Sequence, residues 1–195
     1  RIPFCYPLYP YHVSLILIVH STINIHSDFL SYVALTKALL PSWENQLKDT
    51  PNSSKPMIIN ASSIVGKFGG PVRTAYSGAK HAIQGWFDAF RIEQVMTGYP
   101  INVLNVVLGP TRTDIARNAV TDTKDAKFGD SDDLNAAGLD TSFVVERVMA
   151  AAYAGRKEIW LAPRNELFLL YLNQYLPEVA YNRMMKATKE YAVQK

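Results

Sequence analysis

The sequence predicts an α/β protein with a doubly wound parallel sheet, and three observations predict it. Short apolar runs rich in β-branched residues recur at 57–61, 101–108 and 157–162. Segments with helical apolar spacing stand before and between them, at 28–46, from Ala75 onward, and at 141–154. A glycine or proline closes each run: Gly66, Gly109 and Pro163. Strands that alternate with helices of this length read as parallel crossover units. At 195 residues and 48% hydrophobic, the chain is large enough to bury a core as one domain.

Residues 1–26 form an atypical N-terminal segment. Pro3, Pro7 and Pro10 interleave with Phe4, Tyr6 and Tyr9, a density of proline that disfavours helix and regular strand. Residues 13–19 are apolar but well short of the roughly 20 residues a membrane span needs. No basic n-region and small-residue cleavage site frame them as a signal peptide, so a buried strand is expected there. Ser27 is placed to cap the helix 28–46, whose apolar positions are Phe29, Leu30, Val33, Leu35, Leu39 and Leu40. Residues 48–56 are a polar turn segment with Pro51 and Pro56.

The stretch from Met57 to Gly66 ends an apolar run in two hydroxyls, Ser62 and Ser63, and a glycine. It reads as a buried strand that delivers serines to a loop at its C-terminal end. The next helix carries Ala79, Ala82, Ile83, Trp86, Phe87 and Phe90 at roughly the helical period. Tyr76 and Lys80 are four apart on it, so their side chains share nearly one face. Ser63 precedes Tyr76 by 13 residues, enough for a loop with Gly69, Gly70 and Pro71 to fold back. A hydroxyl, a phenol and an ammonium then converge.

That trio suits hydride chemistry at a carbonyl, where reduction needs a proton donor at oxygen and oxidation needs a base. A free tyrosine titrates near pH ~10, so a phenol base at neutral pH needs a cation beside it. One positive charge about 4 Å away, at an effective dielectric of about 20, contributes around 4 kcal/mol. Lys80 would supply that charge, and Ser63 would hydrogen-bond the substrate oxygen. The plainer reading is chance: Tyr and Lys four apart, and Ser-Ser-x-x-Gly at a strand end, are each common.

Downstream, the strand 101–108 follows the break at Gly98-Tyr99-Pro100 and leads into Gly109-Pro110-Thr111-Arg112-Thr113, by itself only a turn. Residues 114–140 are polar, with Asp122, Asp125, Asp130, Asp132 and Asp133. A solvated loop is the plain reading, and the acidic spacing lacks the glycine and terminal Glu of a calcium loop. Thr141 is placed to cap a helix stopped at Gly155. The tail 167–176 is apolar and aromatic, with Arg183, Lys186 and Lys189 beyond it. It suits core or homodimer packing, closure of a substrate pocket, or contact with a membrane surface. The net charge of +3, with no lysine/arginine cluster, gives no support for nucleic-acid binding. Cys5, alone, excludes an intrachain disulfide. The histidines at 12, 20, 26 and 81 show no metal-ligand spacing, and His81 reads as structural.

At these residues the sequence resembles the short-chain dehydrogenase/reductase family. The likeness rests on Ser63 with Tyr76-x-x-x-Lys80, on Asn60-x-Ser62-Ser63-x-x-Gly66, and on Leu108-Gly109-Pro110-x-x-Thr113. It runs from residue 28 to residue 180. The phrases at 29–36 and 109–115 are similar to hydroxysteroid dehydrogenases and to the member-seven dehydrogenase/reductase type. The resemblance implies a Rossmann-like fold and an oxidoreductase using NADP or NAD, NADP slightly favoured, on a lipophilic carbonyl or alcohol such as a steroid or retinoid. It implies Tyr76 as acid/base, Lys80 as its charge partner and grip on the nicotinamide ribose, and Ser63 as orienter of the substrate oxygen. It places the nicotinamide carboxamide against Gly109, Pro110, Thr111 and Thr113, and a substrate lid at 114–140. It also implies an endoplasmic-reticulum membrane-associated or a cytoplasmic protein, although residues 1–26 do not read as the N-terminal anchor of such relatives.

Two departures stand out. The first glycine is Gly66, so residues 1–65 hold no glycine turn for a pyrophosphate. By resemblance the chain is an N-terminally truncated, single partial domain over residues 1–195 without the first βαβ units. Asp28 stands where the family has an Asn that holds a relay water. Its carboxylate lacks the amide donor, and its charge would compete for Lys80; a dipole-favoured Asp at a helix N-terminus is the plainer reading. The alternative function is therefore a non-catalytic fragment or interaction protein that keeps the catalytic half of the fold and binds no dinucleotide.

Overall fold

The computed structural model describes residues 23–50, 55–71, 73–113 and 137–193. The expected strand at 13–19 lies outside them. The described chain begins in a helix. A π-helical turn, His26–Leu30, runs directly into α1, Ser31–Asp49. Ser27 therefore does not cap: residues 23–25 are already helical, and the Ser27 carbonyl accepts a hydrogen bond from Ser31 Oγ at 2.6 Å. The helix also continues past the expected end at Gln46, through Pro41 and on to Asp49.

Among the described residues three strands follow: β1, Met57–Ser63; β2, Asn102–Leu108; and β3, Glu158–Leu161. They form one parallel sheet in the order β1-β2-β3. In register, Ser63 pairs with Leu108, and Leu108 with Leu161. The C-terminal ends of all three strands thus lie side by side. The loops after Ser63, after Leu108 and after Leu161 consequently share one edge of the molecule.

The helices α2, Thr74–Met96, and α3, Thr141–Tyr153, are the crossovers from β1 to β2 and from β2 to β3. Side chains alternate across a strand, and β2 shows the result. Val103 packs with Ile83, Phe87 and Phe90 of α2, against which Phe29, Tyr32, Val33, Leu40 and Trp43 also lie. Leu104 and Val106 pack with Val148 and Ala151 of α3. Residues 103–107 of this central strand are all buried, as a parallel strand covered on both faces must be. The expected doubly wound arrangement is what the chain adopts.

The ends of α2 and α3 follow local rules. Gly98, at φ +78°, and Pro100 stop α2, and Gly155, at φ +64°, stops α3. The cap of α3 is Asp140 rather than Thr141: Asp140 Oδ1 accepts from Ser142 N at 3.0 Å and Phe143 N at 3.3 Å. One residue earlier, a carboxylate reaches the free amides that the Thr141 hydroxyl, already inside the first turn, does not. The aromatic tail lies in two helices, α4, Arg164–Tyr175, and α5, Pro177–Val193. Leu170 of α4 is buried against Val107 and Ala162, while Phe168, Tyr171 and Tyr175 stay exposed. Among the described residues no helix is long and apolar enough to cross a membrane.

Phe87, 1% exposed, is the largest fully buried side chain and sits where α2 meets the sheet. Phe87→Ala removes that contact and leaves a cavity, so a loss of about 3–5 kcal/mol is expected, read as a lower midpoint in urea denaturation.

Candidate active site

β1 delivers Ser63 to the open edge in extended conformation, φ −141° and ψ 158°. Its Oγ accepts from Val65 N at 3.4 Å and so caps a single 3₁₀ turn, Ile64–Gly66. This turn lies directly on α2. A Cβ built on Gly66 would stand 2.1 Å from Gln84 Nε2 and 2.7 Å from the Lys80 carbonyl oxygen. Only glycine permits that approach. The chain then returns to α2, where Gly70 N donates to Ser77 Oγ at 3.4 Å.

Lys80 is 6% exposed, so its ammonium must be compensated by the protein. Nζ donates to the Ala61 carbonyl at 3.4 Å and lies 3.3 Å from Asp28 Oδ1. The rings of Tyr76 and Tyr32 flank it, with centroids at 5.5 Å and 5.6 Å. A cation at that distance over a ring is attracted by the negative face. Tyr76 itself is half-buried and packs on the cluster of Ile64, Val65 and Phe68, the turn that Ser63 caps. Phenol, ammonium and serine-bearing strand end therefore meet at one place. Asp28 joins them as an ion-pair partner from the π-turn, and its position in helix numbering is not that of a first-turn residue of α1.

The turn after β2 is held to its neighbours. Gly109 N donates to the Leu161 carbonyl at 2.8 Å, and a Cβ on Gly109 would stand 2.5 Å from Ala162 Cβ. Thr111 Oγ1 donates to the Gly109 carbonyl at 3.2 Å. Leu139 bridges Thr111: Leu139 N donates to the Pro110 carbonyl at 2.9 Å and Arg112 N to the Leu139 carbonyl at 3.0 Å. Arg112 and Asp140 pair at 3.2 Å. Of the expected lid 114–140, residues 114–136 lie outside the described residues. Residues 137–140 are pinned to Pro110–Arg112 by these bonds. Thr113 closes the described part of this loop.

Around the site, Gln84, Asn105 and Asp88 belong to no motif, whereas their partners Asn60, Ser62 and Ser63 do. Gln84 Nε2 donates to Ser62 Oγ at 2.7 Å and to the Ser63 carbonyl at 3.2 Å. Asn60 Nδ2 donates to Asn105 Oδ1, Asn105 Nδ2 to Asp88 Oδ1, each at 2.9 Å. The signal that finds them is spacing: Lys80, Gln84 and Asp88 stand at i, i+4 and i+8, on the face that also holds buried Ile83 and Phe87. His81 is structural as expected, its Nδ1 2.8 Å from the Ser77 carbonyl oxygen.

A family model described as short chain dehydrogenase matches residues 20–124, more than half of the chain. The chain belongs to the short chain dehydrogenase family. Among curated relatives of this family, dehydrogenase/reductase SDR family member 7B of Xenopus tropicalis is 34% identical over 164 residues, covering 84% of this chain and 50% of that protein. Human dehydrogenase/reductase SDR family member 7 is 29% identical, over 83% of this chain and 46% of that one. The chain thus spans about half the length of the curated relatives it matches. Among solved structures, a short chain dehydrogenase from Burkholderia cenocepacia J2315, in complex with NADP, superposes with a TM-score of 0.63 at 18% identity. It covers 84% of this chain and 58% of that chain. A short-chain dehydrogenase from Streptomyces avermitilis superposes with a TM-score of 0.59, also at 18% identity, covering 85% of this chain and 60% of that one. At that identity the likeness carries the fold: the parallel sheet with helices on both faces is the short chain dehydrogenase arrangement.

The Gly66 contact gives a direct test of how the site is held. Gly66→Ala must push the turn off α2, against backbone at Lys80 as well as the Gln84 amide. A loss of about 1–3 kcal/mol is expected from such overpacking, measured by urea denaturation; an unchanged midpoint contradicts the tight contact.

Proposed function

We propose that this chain carries the proton-handling half of an oxidoreductase that moves a hydride between a nicotinamide dinucleotide and the carbonyl or secondary alcohol of a lipophilic substrate. The observation that supports it most is the buried Lys80 ammonium, 5.5 Å from the Tyr76 ring centroid, beside the strand end that bears Ser63. The ammonium is placed to stabilise negative charge that develops on the phenol oxygen as its proton is transferred. Tyr76 Oη then donates its proton to the carbonyl oxygen in reduction and accepts one from the alcohol in oxidation. Ser63 Oγ donates a hydrogen bond to the same oxygen and stabilises its developing charge. Tyr76 packs on a buried apolar cluster that includes Ile64, Val65 and Phe68, and Leu167 and Leu169 pack on the same cluster; this apolar setting suits a lipophilic substrate.

The donor set fits the nicotinamide-ribose end of a dinucleotide: the Lys80 ammonium, the Tyr76 hydroxyl and the backbone from Gly109 to Thr113 would hold it. The bound dinucleotide supplies or accepts the hydride. NADP, slightly favoured by the family resemblance, is the form to test first. The pyrophosphate end is different, because it needs a glycine turn and no glycine precedes Gly66.

Asp28 modifies the site. Its carboxylate pairs with the Lys80 ammonium at 3.3 Å and so competes with a bound dinucleotide or substrate for that positive charge. This pairing, with the absence of a glycine before Gly66, favours a second reading: a chain that keeps the catalytic half of the fold as an interaction protein without binding a dinucleotide. Titration with NADPH, followed by its fluorescence, separates the two. Saturable binding supports the oxidoreductase, and no binding supports the second reading.

Tyr76→Phe removes the transferable proton while leaving the ring. Turnover of NADPH with an aromatic diketone is expected to fall by about 10²–10⁴-fold, and full turnover in this variant rejects the assignment. Asp28→Asn keeps an acceptor for Lys80 and removes the negative charge. Its kcat is expected to rise about two- to fivefold, the factor carried by an ion pair of roughly 0.5–1 kcal/mol. A fall in kcat would instead make the carboxylate itself a working part of the site.

A further inference from the structure

Helix α2 presents a polar row to the sheet. Lys80 Nζ reaches the Ala61 carbonyl at 3.4 Å, and Asp88 Oδ1 accepts from Asn105 Nδ2 at 2.9 Å. Gln84 stands between them and differs in what it grips, because it bonds the chain at Ser63 itself. It is 3% exposed, next to Ile83 at 0% and one turn before Asp88. Its Nε2 donates one hydrogen to Ser62 Oγ at 2.7 Å and one to the Ser63 carbonyl at 3.2 Å. A carbonyl only accepts, so the NH₂ end of the amide must face the strand.

The Ser63 hydroxyl has little else to fix it. Its local contact, from Val65 N, is long at 3.4 Å. Apolar packing of Ile83 and Phe87 holds helix and sheet together but is not directional. The amide bonds are directional, and they tie the strand end to the same helix that carries Tyr76 and Lys80, eight and four residues earlier. Gly66 lets the turn come close enough for this contact, with its ideal Cβ position 2.1 Å from Gln84 Nε2.

We propose that Gln84 is a positioning residue for Ser63: its side-chain amide holds the Ser63 backbone to α2 and thereby sets the Ser63 hydroxyl against the Tyr76 and Lys80 side chains. The part of this that concerns turnover rests on the roles given above to Ser63, Tyr76 and Lys80. The grip itself does not. An error of about 1 Å in the placement of a reacting group costs up to about 10²-fold in rate, so a looser serine is visible in kcat.

Two measurements test it. The first needs no dinucleotide: amide hydrogen exchange by NMR in Gln84→Met, which keeps the volume and removes the donor. Exchange at Val65, whose N–H bonds Ser63 Oγ, is expected to quicken about tenfold relative to Leu104 and Val106 in the buried strand β2. Unchanged relative exchange at Val65 overturns the proposal. The second is a double-mutant cycle on turnover of NADPH with benzil. Gln84→Met is expected to lower kcat about tenfold with KM changed less than about twofold, and to cost nothing further in a Ser63→Ala background. Equal losses in both backgrounds mean that Gln84 acts through general stability, which also overturns it. Should Gln84→Met fail to fold, Ser62→Ala removes one of the two bonds; a smaller loss in kcat, again absent in the Ser63→Ala background, is then expected, and a loss that persists there counts against the proposal. If Ser63→Ala and Tyr76→Phe both leave turnover intact, the catalytic reading fails, and Val65 exchange still decides whether Gln84 holds the strand end.

Discussion

A lysine ammonium held almost out of water is the constraint on which this structure turns. An unpaired charge at such depth costs several kcal/mol, so the fold must bring compensation to Lys80 Nζ from more than one element. β1 brings the Ala61 carbonyl, the π-turn before α1 brings Asp28, and α1 and α2 bring the Tyr32 and Tyr76 rings. These partners come from residues 28 to 76, spread over three elements and the π-turn. The π-turn matters here: a wider turn is a frequent feature of functional sites, and this one contains the carboxylate that reaches the ammonium.

The same need for compensation runs along the rest of α2. A helix packed on a sheet ordinarily presents apolar side chains, and α2 does so with Ala79, Ile83, Phe87 and Phe90. Between them, polar groups reach specific partners on the strands. The row ends in a relay of bonds from Asn60 to Asn105 to Asp88, then to Arg91 at 3.3 Å, whose Nη2 donates to the Lys157 carbonyl at 3.0 Å. That carbonyl also accepts from Asn105 N at 2.9 Å. Neighbouring strands and the helix above them are thus joined by directional contacts, buried at Asn60 and Asn105, where hydrogen bonds are stronger than in water, and partly open to solvent at Asp88 and Arg91. Apolar area supplies cohesion, and the polar row supplies register.

At the open edge of the sheet, this register has a chemical consequence. The parallel pairing that aligns Ser63, Leu108 and Leu161 brings the turn at Gly109 beside the strand end with Ser63. Residues 138–141 then lock that turn from the far side. Gly138 approaches so closely that its ideal Cβ position is 2.9 Å from the Pro110 carbonyl carbon, and Thr141 Oγ1 donates to the Arg112 carbonyl at 2.7 Å. The turn after β2 is therefore held by its neighbours at 138–141 as well as by its own Thr111 hydroxyl.

Much of this was legible in the residues alone. Alternating apolar runs and helical spacing determined the α/β order, and strand limits fell within a residue or two because Gly109 and Pro163 interrupt the pattern. Tyr76 and Lys80 share a helix face by simple periodicity. Caps are less legible: Ser27 and Thr141 have the right chemistry, but a helix begins where upstream backbone bonds begin, and side-chain type does not show that. The partners of Lys80 were decided only by tertiary structure. Whether Asp28 meets Lys80, and whether Gln84 meets Ser63, depends on how two elements cross, and those pairs lie 52 and 21 residues apart in the chain. Local sequence encodes which faces are apolar; the directional bonds across those faces exist only once the elements are packed.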